Sequence, residues 1–323
     1  MNMVHNKMKV MAVTPQGIEA IELPKPAPGR GAVRVKVVAA AVNAGEEKVM
    51  DGDFVGRFLH ANTTPLVLGW DFAGTVDSIG EDVTDLQVGD AVWGHLAFSP
   101  SQKQGTYSEF VTVMRSEISK KPDDVSFQLA AISPTIAMTG LQSLRDCGRL
   151  SKGGNVLIIG AAGGIGSVSV GIAKRLGAHV TAICSTKDVE KVKALGADVI
   201  LDRKTTDPFR SGDTYDVIFD TPAVSSYHQC VKLLKAGGTY VTTLPDMNLI
   251  TGMMRSLFSS KRVRFVQVAS KREDLELVSQ WLSDGLKVPL DSSFKISELE
   301  TAFQRQTSRE RSGRVVVDVD GMW

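Results

Sequence analysis

The sequence has few cysteines, no large excess of either charge and no long apolar run. Its 323 residues include three cysteines, Cys147, Cys184 and Cys230, which lie far apart. This spacing excludes a disulfide framework and a structural zinc knuckle, and it favours a reducing, cytoplasmic setting. Lysine and arginine number 37 against 36 acidic residues, so we expect neither a nucleic-acid partner nor a membrane partner.

No segment is long and apolar enough to predict a membrane span, and residues 1–9 lack the apolar stretch of a secretion signal. The length allows about two domains at roughly 150 residues each. Short apolar or alternating runs make the first part β-rich, and turn residues such as Val88-Gly89-Asp90 separate them. The predicted strands are Lys9–Val13, Ile18–Leu23, Val33–Ala41, Phe72–Ile79 and Tyr107–Met114.

Strands and helices alternate in the rest of the chain, which is typical of a doubly wound parallel sheet. Helices are predicted between Gln128 and Arg149 and over Glu273–Leu286. Later strands are predicted at Asp198–Leu201, Asp216–Phe219, Thr239–Thr243, Val263–Val268 and Arg314–Val319. We expect the end of the chain to return to the first domain, with the active site in the cleft between the two.

The most informative segment follows the continuous apolar strand Val156–Ile159. Gly160 ends this strand, and Gly163, Gly164 and Gly166 open a helix with an apolar residue every fourth position. Glycines allow a tight turn and the close approach of a pyrophosphate, while a helix N-terminus offers free N–H groups and partial positive charge. The strand, the glycines and the helix together predict a dinucleotide site.

The end of the next strand, Val180–Ile183, distinguishes between dinucleotides. An NAD enzyme usually has Asp or Glu there to bind the ribose 2′-hydroxyl. This chain has Ser185, Thr186 and Lys187 instead, which suit a 2′-phosphate because they donate hydrogen bonds and carry positive charge. NADPH is therefore predicted. The alternative is that Ser-Thr-Lys forms a solvated loop before a helix that begins near Asp188.

Several motifs, in this order, resemble the medium-chain dehydrogenase/reductase superfamily, in particular its zinc-independent quinone oxidoreductase branch. The resemblance covers nearly the whole chain. It implies an α/β protein with a GroES-like β-barrel catalytic domain, residues 1–127 and 272–323, and a Rossmann NADPH-binding domain, residues 128–271, commonly as a homodimer. The motifs are Ala41-Val42-Asn43, Gly69-Trp70-Asp71-Phe72-Ala73-Gly74, Val88-Gly89-Asp90-Ala91-Val92, Gly105-Thr106-Tyr107-Ser108-Glu109-Phe110, Ala161-Ala162-Gly163-Gly164-Ile165-Gly166, Leu195-Gly196-Ala197-Asp198 and Ser312-Gly313-Arg314-Val315-Val316.

The zinc alcohol dehydrogenases of the same superfamily resemble the chain less. Their catalytic cysteine falls where this chain has Asn43–Glu46, and their histidine falls at Trp70. Zinc prefers a tetrahedral set of Cys sulfur and His nitrogen ligands, which Asp71 and Glu46 alone cannot supply, so we expect no metal. His60 and His95 are expected to be polar surface residues. Short-chain dehydrogenases are excluded because Tyr215, Tyr227 and Tyr240 each lack a lysine four residues later.

The resemblance implies three catalytic residues. Asn43 is expected to fix the nicotinamide or the substrate through its amide, and Lys48 to be the cationic donor near the carbonyl oxygen on which negative charge develops. Thr139 is expected to contact the nicotinamide. Two alternatives stay open: Lys48 is a solvated lysine beside Glu46 and Glu47, or the Thr139 hydroxyl bonds back to its own helical turn.

The expected cofactor residues combine the glycine turn with the carboxyl ends of several strands. Ser185 and Lys187 follow the second strand of the unit, and the Arg203 guanidinium adds a second contact to the 2′-phosphate. Thr221 and Leu244 are expected to contact the cofactor through their backbone. The full set is Gly163, Gly164, Ile165, Gly166, Ser185, Lys187, Arg203, Thr221 and Leu244.

These residues predict a reductase that passes hydride from NADPH to a quinone or an α,β-unsaturated carbonyl compound. Two alternatives remain: a zinc-free alcohol or ketone reductase, and a non-enzymatic NADPH-sensing or RNA-binding role suggested by zeta-crystallin-like relatives. Four apolar residues are candidates for lining the substrate pocket, although packing in the core or in loops is the preferred interpretation. They are Phe54, Phe58, Phe98 and Met253.

Overall fold

The computed structural model of the protein describes residues 6–210, 212–321 and 323. The chain divides into two compact units, residues 1–135 with 269–323 and residues 136–268. The predicted domain limits lie close to this division and remain a prediction. Within the described residues, no helix combines the length and the apolarity needed to cross a bilayer.

The described residues of the first unit form eight strands and three short α-helices before the chain enters the second unit. Its strands are β1 (Lys7–Thr14), β2 (Gly17–Pro24), β3 (Ala32–Val42), β4 (Leu66–Val67), β5 (Asp71–Ile79), β6 (Ala91–His95), β7 (Phe110–Met114) and β8 (Ile118–Lys120). Its helices are α1 (Gly45–Met50), α2 (Gly56–Leu59) and α3 (Phe127–Ile132). The next helix, α4 (Pro134–Leu141), spans the boundary and continues into a π-helical segment, Gln142–Cys147.

The second unit is a six-stranded parallel sheet with helices between the strands. Its strands are β9 (Asn155–Ile159), β10 (His179–Cys184), β11 (Val199–Asp202), β12 (Tyr215–Asp220), β13 (Leu234–Thr242) and β14 (Arg262–Phe265). Its helices are α5 (Gly164–Arg175), α6 (Val189–Ala194), α7 (Tyr227–Cys230) and α8 (Met247–Ser256). The chain then returns to the first unit with α9 (Arg272–Ser283), β15 (Leu290–Lys295), α10 (Leu299–Thr307) and β16 (Arg314–Asp318).

The main sheet of the first unit is mostly antiparallel and centres on β3. Its order is β15-β16-β3-β5-β6-β8, and β7 also pairs with β3. The second half of β3, Ala39–Val42, is wholly buried because β16 and β5 flank it and α3 packs over it. A small separate sheet has the order β2-β1-β4. The carboxyl end of β3 therefore leads directly from the core into α1.

The sheet of the second unit has the order β11-β10-β9-β12-β13-β14, and every neighbouring pair is parallel. Strand β9 is apolar and buried over Val156–Ile159 because the sheet is covered on both faces. The order reverses between β9 and β12, and open α/β sheets bind ligands at the carboxyl ends of strands at such a point. The predicted α/β architecture, with its doubly wound parallel sheet, is confirmed.

Helix α5 follows the predicted pattern. Val168 and Ile172 are fully buried, and Gly177 has a φ of 78° just beyond the last helical turn. Left-handed backbone of this kind ends many helices and favours glycine. The helix therefore begins and ends where the glycines of the sequence indicated.

Some predicted elements were wrong in extent. The strand that was predicted from Tyr107 begins only at Phe110, and Tyr107 is instead a buried residue that precedes it. The strand predicted to reach Val268 ends at Phe265. Helix α8 falls between two predicted strands, where a helical segment was expected. Helix α10 and strand β15 were not predicted, because their apolar residues are sparse.

Candidate functional site

The turn between β9 and α5 leaves no space for side chains at two of its glycines. Gly160 has a φ of 76°, and an added Cβ there would lie 2.8 Å from Pro222 Cδ. An added Cβ on Gly166 would lie 2.1 Å from the Gly160 carbonyl oxygen. The strand end and the first helical turn therefore touch through backbone atoms alone.

The residues between these two glycines open the helix. Gly163 is its N-cap, and the Gly163 N–H donates to the Gly160 carbonyl oxygen at 3.0 Å. Gly164 and Ile165 lie in the first turn, where the backbone N–H groups of a helix have no acceptor within the helix. Gly163 is exposed. This arrangement fits a pyrophosphate, because the N–H groups and the helix dipole favour an anion and no Cβ at Gly163 blocks its approach.

The carboxyl ends of β10 and β11 bring two predicted residues together. Arg203 Nε donates to Ser185 Oγ at 3.0 Å, and the Arg203 N–H donates to the Cys184 carbonyl oxygen at 3.0 Å. Lys187 is exposed in the 3₁₀ turn Thr186–Asp188. Arg203 also lines a cleft of about 530 Å³ that includes Ile159 and Ile183, the last apolar residues of β9 and β10. Within the second unit, a hydroxyl and a guanidinium thus adjoin a cleft at the carboxyl edge of the sheet.

Thr221 and Leu244 follow β12 and β13 at the same edge. Thr221 is buried, and its hydroxyl donates to the Ile159 carbonyl oxygen at 2.9 Å. The Thr243 hydroxyl donates to the Thr221 carbonyl oxygen at 3.1 Å, and Leu244 is half-buried. The Thr221 side chain therefore ties β12 to β9.

A buried polar cluster lies in the first unit where β3 runs into α1. Asn43 Nδ2 donates to Asp71 Oδ2 at 3.2 Å and lies 3.4 Å from Glu46 Oε1. Arg314 Nη2 donates to Asn43 Oδ1 at 2.5 Å. The Tyr107 hydroxyl donates to Glu46 Oε2 at 2.5 Å. We call these five residues the Asn43 cluster.

Burial controls the protonation of the two carboxyl groups in the Asn43 cluster. Complete burial raises the pKa of Glu46 to about 8, although hydrogen bonds from Tyr107 and Asn43 oppose this shift. Burial likewise raises the pKa of Asp71 to about 6, against the nearby positive charge of Arg314 and two hydrogen bonds from Thr135. Near neutral pH, Glu46 therefore holds a proton and Asp71 faces Arg314 as an ion.

Sequence reasoning assigned no role to Tyr107, Asp71 or Arg314 beyond their family motifs. Arg314 begins the apolar strand β16, whose other residues up to Val317 are fully buried, and the arginine itself is buried too. A charged residue at the start of such a strand needs a buried counter-charge. From the sequence, this requirement could have predicted an acidic partner for Arg314. In the structure that partner is Asp71, at the start of β5.

The other predicted catalytic residues lie in different surroundings. Lys48, in α1, is partly exposed, and its Nζ lies 3.4 Å from Asp53 Oδ2. Thr139 lies in α4 within the second unit and is 5% exposed. Asn43 and Lys48 thus belong to the first unit, whereas Thr139 and all of the predicted cofactor residues belong to the second.

The two histidines are not surface residues, so that expectation was wrong. His60 and His95 are buried, with exposures of 1% and 0%. The His60 ring nitrogens lie within hydrogen-bond distance of two backbone carbonyl oxygens, and His95 Nδ1 lies 2.7 Å from Ser270 Oγ. Burial lowers the pKa of His95 to about 3. In the described part of the chain, no group of three or more His, Cys, Asp or Glu side chains could hold a metal ion.

The apolar pocket candidates differ in their surroundings, and the rings of Phe54 and Phe58 pack edge-on against each other with centroids 5.0 Å apart, as the interpretation of loop packing predicts. Phe54 is 74% exposed, Phe58 57% and Met253 48%. Only Phe98 packs against the core, where its ring lies edge-on to Trp70 with centroids 5.0 Å apart.

Two family models match the chain. One is described as an alcohol dehydrogenase GroES-like domain and matches residues 29–123. The other is described as a zinc-binding dehydrogenase and matches residues 195–317. Each match lies mainly on one part of the chain, the first on the antiparallel sheet and the second on the end of the parallel sheet and the returning segment.

Individual proteins match over most of their length. The mitochondrial NAD(P)H oxidoreductase RTN4IP1 of Mus musculus is 32% identical, over 89% of this chain and 81% of the relative. The chloroplastic NADPH-dependent alkenal/one oxidoreductase of Arabidopsis thaliana is 30% identical, over 88% of this chain and 71% of the relative. A solved structure of the quinone oxidoreductase from Coxiella burnetii superposes with a TM-score of 0.84 at 27% identity, covering 97% of this chain and 99% of the other.

Proposed function

Because the chain belongs to the medium-chain dehydrogenase/reductase superfamily, in its zinc-independent quinone oxidoreductase-like branch, we propose that it uses NADPH to reduce quinones or α,β-unsaturated carbonyl compounds. It is an oxidoreductase with a nicotinamide cofactor and a small-molecule substrate. The observation that carries the choice of NADPH is the pairing of Ser185 with Arg203 at 3.0 Å beside the cleft.

The turn between β9 and α5 supports a dinucleotide, which supplies the hydride when it is bound. Gly163, Gly164, Ile165 and Gly166 would hold its pyrophosphate through backbone N–H groups. The loops after β12 and β13 would contribute the backbone of Thr221 and Leu244. The Thr221 hydroxyl is engaged with the Ile159 carbonyl oxygen, which favours a backbone contact over a side-chain contact.

Positively charged side chains at the carboxyl ends of β10 and β11 support the proposed contact with the 2′-phosphate of NADPH. The guanidinium of Arg203 would bind it as a planar cation, the Ser185 hydroxyl would donate a hydrogen bond, and Lys187 would add positive charge. A carboxylate in place of Ser185 would repel the same phosphate. The three residues lie within the second unit, where their arrangement does not depend on the other unit.

For the chemistry, we assign three residues. Lys48 would donate to the oxygen on which negative charge develops. Its ammonium group is partly exposed, and its contact with Asp53 is long at 3.4 Å. Asn43 would act at the nicotinamide or the substrate from a position fixed by Arg314 and Asp71. Thr139 would contact the nicotinamide.

A steady-state assay with both cofactors tests the choice of NADPH. We expect Arg203→Gln to raise the KM for NADPH about tenfold and to leave the KM for NADH unchanged, because one charge-assisted contact to the phosphate is lost. Lys187→Ala should act in the same direction. Lys193→Gln, an exposed lysine of α6 outside the cleft lining, is the matched control. Equal effects on both cofactors would exclude the proposed 2′-phosphate contact.

NADPH oxidation against a panel of quinones, enones and simple ketones tests the acceptor. We expect turnover with quinones or enones and none with saturated ketones. Turnover with ketones alone would favour an alcohol or ketone reductase. Binding of NADPH without any turnover would favour a sensing role and would contradict the proposed enzyme.

We also propose that the chain forms a homodimer and works in the cytoplasm. The homodimer follows from the family resemblance, and the cytoplasmic setting from the three widely separated cysteines, which are free among the described residues. Light scattering at defined protein concentration tests the first. Cell fractionation of the tagged chain tests the second, and enrichment in an organelle would contradict it.

A further inference from the structure

The carboxyl group of Glu46 lies among donors and acceptors whose directions can be assigned. An arginine side chain only donates hydrogen bonds, so Asn43 Oδ1 faces Arg314 Nη2, and the Asn43 amide nitrogen faces the two carboxyl groups of the Asn43 cluster. Glu46 Oε1 therefore accepts from Asn43 Nδ2, at 3.4 Å. A proton on Glu46 must then be on the other oxygen, Oε2.

The Tyr107 hydroxyl lies between Glu46 and a backbone oxygen. It is 2.5 Å from Glu46 Oε2 and 3.2 Å from the Ala41 carbonyl oxygen, and both of these atoms are acceptors when Glu46 is ionised. A phenol has one proton and cannot donate to both. When Oε2 holds a proton, Glu46 donates to Tyr107 Oη and Tyr107 donates to Ala41. Both hydroxyl groups then have an acceptor, as buried polar groups require.

The charges around Glu46 favour this neutral form. The titratable and charged side chains that face it are those of Tyr107, Asp71 and Arg314. Arg314 pairs with Asp71, with Nη2 and Oδ2 3.8 Å apart, and among the described residues it makes no ion pair with Glu46. Arg311, three residues earlier, donates to backbone carbonyl oxygens. An ionised Glu46 would therefore be a second buried carboxylate beside a single guanidinium that already pairs with Asp71.

Glu46 also anchors the helix that carries Lys48. Helix α1 has six residues and no side-chain cap at its start, and helices this short depend on tertiary contacts. Glu46, its second residue, is fully buried, whereas the Lys48 side chain is 38% exposed. Residues two positions apart lie on opposite sides of a helix. The contacts of Glu46 therefore fix the direction in which Lys48 points.

We propose that Glu46 is a positioning residue that works as a neutral acid: its proton joins α1 to Tyr107, and loss of this proton with rising pH releases α1 and lowers turnover. Burial raises the pKa of Glu46 to about 8, so the anchored form is present at neutral pH and is lost as the pH rises through this value. The effect on turnover rests on the proposed function, in which Lys48 donates to the developing oxyanion.

A fluorescence titration tests the anchoring without cofactor or acceptor. An added Cβ on Gly45, the first residue of α1, would lie 3.6 Å from Trp70 Cζ3, so the Trp70 ring lies against the start of the helix. We expect tryptophan emission of the unchanged protein to change with a midpoint near pH 8. The emission of Glu46→Gln should stay constant, because its amide can donate to Tyr107 and does not titrate. Trp70→Phe should also lack the change.

The pH dependence of kcat tests the consequence for the reaction. From pH 7 to pH 9, the kcat of the unchanged protein should fall about tenfold, in proportion to the fraction of Glu46 that keeps its proton. The kcat of Glu46→Gln should be nearly constant, whereas that of Glu46→Ala, which cannot donate, should be about tenfold lower already at pH 7. The KM for NADPH should be the same in all three proteins, because the proposed cofactor contacts lie in the second unit.

Glu47→Gln is the matched control, because Glu47 is half-buried in the same helix and lies outside the Asn43 cluster. It should keep both the fall of kcat and the change in emission. If Glu46→Gln also keeps either of them, another group titrates and the proposal is overturned. Circular dichroism with thermal unfolding verifies the folding of each variant at both pH values.

Infrared spectroscopy tests the proton itself without any variant. The carbonyl absorption of a protonated carboxyl group should be present at pH 7 and lost by pH 9, and its absence at pH 7 would overturn the proposal. If no acceptor is reduced at any pH, the proposed function is contradicted instead. The infrared and fluorescence titrations still decide, in that case, whether the Glu46 proton anchors α1.

Discussion

The turn from Gly160 to Gly166 and the Asn43 cluster are both tightly packed, but different atoms make their contacts. The turn depends on the absence of side chains, because backbone atoms of neighbouring residues touch where a Cβ would lie 2.1 Å from a carbonyl oxygen. The Asn43 cluster depends on side chains that lie as many as 271 positions apart in the sequence and that hydrogen-bond to one another. The turn should therefore be most sensitive to added volume, and the cluster to changed charge.

Gly166→Ala should break the turn and have the largest effect. The new methyl group would overlap the Gly160 carbonyl oxygen and lie 2.9 Å from Ala161 Cα, so the helix start must move. We expect the free energy of unfolding to fall by about 1–3 kcal/mol. The Kd for NADPH should rise about a hundredfold, since the pyrophosphate contacts would be displaced. Urea unfolding and calorimetric titration measure the two effects.

Gly163→Ala separates packing from cofactor contact. Its Cβ would meet no atom closer than 3.3 Å, and its φ of −74° suits any residue. We expect the free energy of unfolding to change by less than about 0.5 kcal/mol, although NADPH binding should still weaken. Equal destabilisation by the two alanines would contradict the backbone-contact explanation.

Glu46→Gln should alter how stability depends on pH. The pKa of Glu46 is raised from 4.5 to about 8 on folding, so between these pH values the folded chain keeps a proton that the unfolded chain releases. The bound proton therefore adds to the free energy of unfolding at low pH, and this contribution is lost as the pH rises towards 8. The variant should lack this decline, and we expect it to exceed the unchanged protein at pH 8 by about 1–3 kcal/mol in urea unfolding.

Glu47→Gln is the matched control, because Glu47 lies next in the chain, is only half-buried and has no place in the Asn43 cluster. Its pH profile should follow that of the unchanged protein. Asp71, whose pKa is raised to about 6, contributes a decline of the same sign that should remain in both variants. A Glu46→Gln profile parallel to that of the unchanged protein would show that Glu46 does not hold the proton.

Lys48→Ala should have the smallest effect on stability. Lys48 lies in α1 with Glu46 but is not a member of the Asn43 cluster, so this variant tests chemistry separately from the packing of the cluster. The Lys48 and Asp53 side chains are each 38% exposed, so solvent screens their pairing and its loss should leave the free energy of unfolding nearly unchanged. If Lys48 is the donor to the developing oxyanion, kcat should fall about a hundredfold, and Lys48→Arg should restore part of it. Undiminished turnover of the alanine variant would remove Lys48 from the mechanism.

The sequence predicted the parts of the fold that local pattern determines. The apolar run Val156–Ile159, the glycines after it and Gly177 predicted a strand, a turn and a helix end because each depends on neighbouring residues. The doubly wound sheet followed from repetition of that unit. The adjacency of Ser185 and Arg203 was also within reach, since the carboxyl ends of neighbouring parallel strands meet at one edge.

The sequence could not predict contacts that depend on the register of distant strands. Strand β16 pairs with β3 so that Val315 lies opposite Val42, and this register brings Arg314 to Asn43. No local pattern specifies it. His60 and His95 were misjudged for a related reason: imidazole rings become buried where hydrogen-bond partners from other segments are available, and those partners are Gln104 and Ser270.

The return of the chain to its first unit has a consequence for synthesis on the ribosome. Asp71 is translated early, but Arg314 follows only after the whole of the parallel sheet. The buried carboxylate therefore has no counter-charge while most of the chain emerges, whereas residues 136–268 can complete their own sheet as a unit. The second unit should become protease-resistant on a stalled ribosome before the first.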